Sequence, residues 1–346
     1  MRLPGGLITA GQLRALARLA AEMGDGRAEL TSRANVQLRA LPAGAAAPLT
    51  AGLAAAGLLP SLDHDRVRNI LASPLAGLDG GPGLTPVVAA LDAGLCARPR
   101  LAQLSGRFLF AIDDGRGDVA RLGADIVATL QAGAASVNGL AVTAPAVVTL
   151  MLAFAEAFLD DRAAHGSAAW RIADLPGGAD RIRATVARQL DLVPAIPVPA
   201  ATSAPAATRP VGIIGRHGVL LAPLGRLAAA QLDWLADQVR GRPARITPWR
   251  GVVLPDLADP QATLRAAAGL GFGVDARSPW LRVTACAGQP GCASALADVQ
   301  ADAASFARRW PGRIVHLSGC ARHCGRPAAT EIDVTASSEG YQIARV

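Results

Sequence analysis

Four cysteines near the C-terminal end constrain this chain more than any other feature: Cys286-x5-Cys292 and, after a gap, Cys320-x3-Cys324. Four soft anionic sulfurs in two pairs match a cubane iron–sulfur cluster, which takes one thiolate at each iron corner. The second pair follows a strand-like run, Arg313 to Leu317, and lies in the turn Ser318-Gly319-Cys320-Ala321-Arg322-His323-Cys324-Gly325. Gly319 and Gly325 let the backbone bend closely around a bulky core. Other readings compete. Structural zinc usually pairs its ligands at C-x2-4-C, narrower than the first pair here. Disulfides suit a short secreted chain, and Met1 to Gly6 lacks the apolar core of a signal peptide. Inert buried thiols would not fall two by two. Cys96 stands alone and reads as a small core hydrophobe.

At 346 residues the chain has room for two or more domains. The net charge is +7, and every basic side chain is an arginine. A basic balance raises nucleic acid as a partner, but aromatics make up 3% and do not alternate with basic clusters as a stacking surface requires. Arginines dispersed through apolar segments suit a polycarboxylate, which guanidinium forks bind bidentately. The most apolar stretch, Leu140 to Leu159, is interrupted by Pro145 and Glu156 and reads as a buried or amphipathic helix, not a membrane span. Neither a nucleic-acid nor a membrane partner is expected, and the compartment read from the chain is the cytoplasm.

One plan occurs twice. Residues 3–40 run strand, Thr9 as helix cap, an alanine- and leucine-rich helix, and a strand over Ala28 to Leu38; residues 211–254 repeat it, ending in Arg245 to Leu254. A further helix follows each copy, Leu49 to Leu58 and Asp259 to Leu270, and a shared Thr-x(x)-Arg supports duplication. Between the copies, strands are predicted at Gly106 to Asp113 and Asp118 to Arg121, with Asp113-Asp114-Gly115-Arg116-Gly117 as a hairpin turn. Residues 191–210 form a proline- and alanine-rich linker. A helix is predicted over Ala295 to Trp310.

The four cysteines, together with Leu30-Thr31-Ser32-Arg33-Ala34-Asn35-Val36-Gln37 and Val67-Arg68-Asn69-Ile70, resemble the nitrite and sulfite reductase superfamily over essentially the whole chain. The resemblance implies an α+β fold of two ferredoxin-like half-domains (residues 1–59 and 211–272) forming a pseudo-symmetric body, plus two α/β lobes (60–190 and 273–346). It implies a 4Fe-4S cluster on Cys286, Cys292, Cys320 and Cys324, the last bridging to sirohaem in the reductases. It places Arg33, Asn35, Gln37, Arg68 and Asn69 along a tetrapyrrole cavity. Members often carry a short extra segment ahead of the strand with which this chain begins.

Sulfite reductases carry a basic-x-basic pair in the segment resembling Ser105 to Phe110; here Arg107 supplies the first base and Leu109 stands in place of the second. Ala321-Arg322-His323 also replaces the usual Pro-Asn-Gly. The opening Arg2 to Gln12 and the Arg107 to Asp113 segment resemble the precorrin-3B synthase branch instead. That branch implies a monooxygenase of cobalamin biosynthesis, which hydroxylates precorrin-3A at C20 and closes a γ-lactone. It would consume dioxygen and electrons from NADH, delivered by a partner reductase, and use a mononuclear non-haem iron. Among His64, His165, His217, His316 and His323, only His323 lies in the cluster loop and is the suggested ligand of that iron. A sirohaem-dependent nitrite or sulfite reductase, and a non-catalytic tetrapyrrole or electron carrier, are the competing readings.

Overall fold

Thr9 starts the first helix, Ala10–Met23, through a reciprocal cap: its hydroxyl accepts the Gln12 N–H at 3.2 Å, and the Gln12 side chain accepts the Thr9 N–H at 3.0 Å. Leu13, Leu16, Ala17, Leu19 and Ala20 bury one helix face. Antiparallel strands Arg27–Leu30 and Val36–Leu38 follow, then the helix Ala46–Ala55. The computed structural model describes residues 1–131, 133–192 and 210–346. The linker expected over 191–210 therefore lies almost wholly outside the described residues.

The second copy has the strand Arg226–Ala228, the helix Ala229–Gln238, strands Ala244–Ile246 and Gly251–Leu254, and the helix Pro260–Gly269, capped by Asp259. The copies trade strands. Leu7–Ile8 pairs with Arg245 and Ala244 of the second copy, while Arg226–Ala228 pairs with Glu29 to Arg27 of the first. Each traded strand leaves a proline-containing turn ending in a glycine of positive φ, Gly6 at 69° and Gly225 at 75°. A Cβ on Gly6 would lie 2.1 Å from the Ile246 carbonyl oxygen, so the close approach requires glycine.

The threonine corners also correspond. The Thr31 N–H donates to the Asn35 carbonyl and the Thr247 N–H to the Gly251 carbonyl, each at 2.9 Å. Both hydroxyls accept the N–H of that same residue, at 3.1 and 2.9 Å. The arginines do not correspond: counted from the threonines, Arg33 matches Trp249, and Arg250 (φ 63°) takes the left-handed place of Ala34 (φ 55°).

The two lobes are copies as well. In the first, Ile70–Ala72, Phe110–Asp113 and Ile126–Gln131 run parallel, then Ala134–Val137 and Leu140–Val142 turn back. In the second, Val283–Ala285, Val315–Ser318 and Ile332–Ser337 run parallel and Gly340–Arg345 turns back. Helices Thr85–Cys96 and Val299–Arg309 make the matching crossovers, the latter within the predicted range and capped by Asp298.

Two local expectations need correction. Asp118 to Arg121 is a turn, not a strand. The Asp113 carboxylate there accepts the N–H groups of Gly115, Gly117, Val119 and Ala120, so the backbone is bonded to a side chain and not to a neighbouring strand. Leu140 to Leu159 is not one helix: a strand ends at Val142, Pro145 lies in the turn, and Val147–Ala164 is the buried helix. No helix among the described residues is long and apolar enough to cross a membrane.

Candidate metal centre and anion cavity

Cys286 follows the strand Val283–Ala285 and Cys320 follows Val315–Ser318, so adjacent parallel strands deliver the two cysteine loops side by side. All four cysteines line one cavity of about 440 Å³, with Thr31, Ser32, Gln37, Arg39, Arg250 and Arg322 among its other walls. The four are free thiols, and Cys324 is the exposed one. Cys286 Sγ accepts the Gly319 N–H at 3.1 Å. A Cβ on Gly319 would stand 2.8 Å from Ala295 Cβ, so glycine keeps the loop against its neighbour.

The donors fit the larger of the two metal groups read from the sequence. One tetrahedral zinc at about 2.3 Å from each sulfur needs its thiolates close together. Among the described residues, the group of ligand atoms lying within 4.8 Å of one another is Asp113, Asp114 and Asp118; the cysteines form no such group. Thiolates spread around a cavity of this size suit a cubane cluster.

His323 takes a left-handed turn (φ 48°), and its Nδ1 lies 3.0 Å from Asp333 Oδ2, which Arg326 also holds at 2.6 Å. It joins no three-ligand group among the described residues, so the structure does not gather a single-iron site around it. His316 is fully buried, with Nδ1 2.8 Å from Thr284 Oγ1, and burial pushes its pKa down to about 4. His64 bridges Ser61 and the Arg98 carbonyl, and His217 is bonded to the Leu78 carbonyl. His165 bonds the Asp161 carbonyl at the end of its helix.

The residues expected along the tetrapyrrole cavity divide into two sets. Arg33 Nη1 donates to the Gly106 carbonyl at 3.1 Å, and Arg2 Nη2 donates to the same oxygen at 3.3 Å. Arg107 lies 4.4 Å over the ring of Trp170, and Arg171 pairs with Asp125 at 3.1 Å. Burial, and then the charges of Arg2 and Arg171, hold the Arg33 pKa below the usual guanidinium range. Gln37 lines the cysteine cavity itself.

Arg68, Asn35 and Asn69 are engaged elsewhere. Arg68 is 4% exposed and grips Asp92 with two bonds of 2.7 and 2.8 Å. Asn35 accepts the Leu3 N–H and donates to Asn69, whose amide donates to the Gly106 and Phe108 carbonyls. Asn35 and Asn69 hold backbone together and Arg68 holds Asp92; like Arg33 and Arg107, all three are absent from the lining of the cysteine cavity. Conversely, Arg2, Trp170, Arg171, Arg250 and Arg322 were missed by the sequence reading; the adjacent Trp170-Arg171 pair was the one legible signal.

Residues 1–56 match the family described as Nitrite/Sulfite reductase ferredoxin-like half domain. The chain is 28% identical over 366 residues to a Precorrin-3B synthase of Sinorhizobium sp, covering 96% of this chain and 76% of the relative. It is 27% identical over 387 residues to a Ferredoxin–nitrite reductase of Synechococcus elongatus, covering 96% and 74%. A solved structure, that of the Mycobacterium tuberculosis NirA protein, matches with a TM-score of 0.72 at 19% identity over 99% of this chain and 72% of its own. The α+β fold of the whole chain is therefore that of NirA, and the two sequence relatives are too evenly matched to separate their activities.

Proposed function

We propose that this chain is an oxygen-dependent monooxygenase of the precorrin-3B synthase type, hydroxylating precorrin-3A at C20 with γ-lactone formation. The observation that carries the choice is Leu109. It is 3% exposed, packs in the hydrophobic core, and donates its N–H to Asp125, so position 109 contributes no second base from the segment of Arg107 to bind and protonate a small oxyanion. Arg33, Arg107 and their neighbours Arg2 and Arg171 instead suit the carboxylates of a large macrocycle. Cys286, Cys292, Cys320 and Cys324 would hold the four-iron cluster, which supplies single electrons when bound. Thr31, Ser32 and Gln37 line the cysteine cavity, and Arg33 lies between Ser32 and Gln37 in the chain, so a large ligand extending out of the cavity would reach from the thiolates towards the guanidinium groups. NADH would be the ultimate electron source through a reductase, with dioxygen as co-substrate.

A sirohaem-dependent nitrite or sulfite reductase is the second reading, supported by Cys324, the exposed cysteine and so the one open to a further iron. Anaerobic purification with an absorption spectrum and iron and sulfide analysis tests both. A broad iron–sulfur band without chlorin peaks, and turnover of precorrin-3A only with dioxygen, is the expected result. Bound sirohaem would overturn the first reading in favour of the second.

A further inference from the structure

The two lobes differ on one face of the sheet. In the first, Leu71, Ala111 and Val127 stand side by side on three adjacent strands and pack into the half-domain core. In the second, the same three places hold Thr284, His316 and Asp333. His316 and Asp333 are nonetheless buried, at 0% and 4% exposed. His316 Nε2, Asp333 Oδ1 and the Ser318 hydroxyl have no hydrogen-bond partner among the described residues. A buried polar face with unmet bonds costs stability, so the fold itself does not explain why a carboxylate stands here.

The cysteine turn is what that carboxylate reaches. Asp333 Oδ2 lies 3.0 Å from His323 Nδ1 and accepts Arg326 Nη1 at 2.6 Å, so it holds a side chain on either side of Cys324. His323 keeps a left-handed backbone, φ 48°, which a residue with a Cβ adopts only where its surroundings impose it. The first lobe fixes its equivalent turn differently. There Asp113 takes the N–H groups of Gly115, Gly117, Val119 and Ala120 into its own carboxylate. Ser318 stands at the place of Asp113, and the carboxylate has moved to the neighbouring strand, where it binds side chains and not backbone. The N–H groups of Ala321 and Arg322 are left without an acceptor among the described residues, and that of Gly319 already points at the Cys286 sulfur. Backbone N–H groups in such a turn are donors for the sulfurs of an iron–sulfur cluster.

We infer that Asp333 is a positioning residue for the cluster: through His323 and Arg326 it latches the turn that presents Cys320 and Cys324, and leaves the N–H groups of that turn to the cluster sulfurs. The inference rests on the cluster assigned under the proposed function. It gives His323 a part in the latch, in place of a part as an iron ligand.

The test uses the anaerobically cluster-loaded protein and follows iron release to a ferrous chelator. Asp333→Asn should speed release by about tenfold, since it weakens two bonds to a buried charge. Arg326→Gln, at the surface, loosens the same latch without entering the core and should act in the same direction, so a failure of Asp333→Asn to fold leaves the test intact. Glu331→Gln, at the far end of the same strand on the Ile314 N–H, should change nothing. In a His323→Gly background the turn carries no strain, and Asp333→Asn should then speed release by less than about threefold. Amide exchange of the metal-free protein gives a second readout: either latch variant should speed exchange over residues 319–325 and leave residues 283–286 as they were. Release and exchange unchanged in both variants, or release speeded equally by Glu331→Gln, overturns the latch. An unmodified protein that takes up no cluster sinks the functional reading instead, and the exchange data still decide whether Asp333 holds the turn.

Discussion

Cys286 and Ser73 occupy the same place in two copies of one lobe. Cys286 Sγ accepts the Gly319 N–H at 3.1 Å, and Ser73 Oγ accepts the Asp114 N–H at 3.2 Å. Their own N–H groups reach the corresponding carbonyls, Leu317 at 2.9 Å and Ile112 at 3.0 Å. One copy carries thiolates at this strand end; the other carries a hydroxyl and the carboxylates Asp113, Asp114 and Asp118. Soft and hard donors thus stand on equivalent scaffolds.

Replacing Cys286, Cys292 or Cys320 by alanine should abolish most bound iron and acid-labile sulfide. Cys96→Ala should leave both unchanged, because Cys96 ends the helix Thr85–Cys96 and is absent from the cavity lining. Equal iron loss in Cys96→Ala would contradict the four-cysteine assignment.

The carboxylate copy predicts a pH effect. Burial pushes the Asp118 pKa up to about 6, with Asp113 and Asp114 adding to the shift. A raised acid pKa means that the folded protein binds the proton more tightly than the unfolded chain. Its stabilising contribution is therefore fully present below pH 4 and is lost as pH rises through 6. Asp118→Asn should stabilise the protein at pH 7.5 by about 2 kcal/mol, and by almost nothing near pH 4. Urea titrations at the two pH values check this; an equal gain at both would refute it.

Gly6→Ala should destabilise by more than about 2 kcal/mol, since it combines a positive φ with a Cβ set against the Ile246 carbonyl. Gly57→Ala is the control. Its φ is also positive, at 67°, but nothing lies within 4 Å, so only the backbone cost of about 1 kcal/mol remains. Thermal melts of the two variants should separate clearly.

Asn35→Leu strands the buried Leu3 N–H, and Asn69→Leu removes the side-chain donor to the buried Phe108 carbonyl, while Arg2 and Arg33 still hold the Gly106 carbonyl, for a loss of about 1–3 kcal/mol each. Because the two amides share a bond of 2.9 Å, the double variant should lose less than the sum. Strict additivity in denaturant melts would show that they act independently.

Much of the local plan was legible. Thr9 as a cap, Asp259 before its helix, and the Leu7–Met23 and Arg226–Gln238 repeats follow from short-range chemistry that neighbouring residues encode. The Asp118 to Arg121 strand failed because a carboxylate five residues upstream captured its backbone. Arg68 looked like a ligand contact; its partner Asp92 lies 24 residues away on the helix Thr85–Cys96, beyond any spacing rule.

From the sequence alone came the four paired cysteines and the doubled half-domain, matters of residue type and near spacing; the missing second base at Leu109 came from the family resemblance. Tertiary structure decided which groups meet. It brought Thr31, Ser32 and Gln37 across to cysteines some 250 residues later, set Arg2 and Arg33 on the single Gly106 carbonyl, and turned Arg68, Asn35 and Asn69 inward. Such meetings depend on how buried faces pack, and packing is settled by the sum of many contacts far apart in the chain.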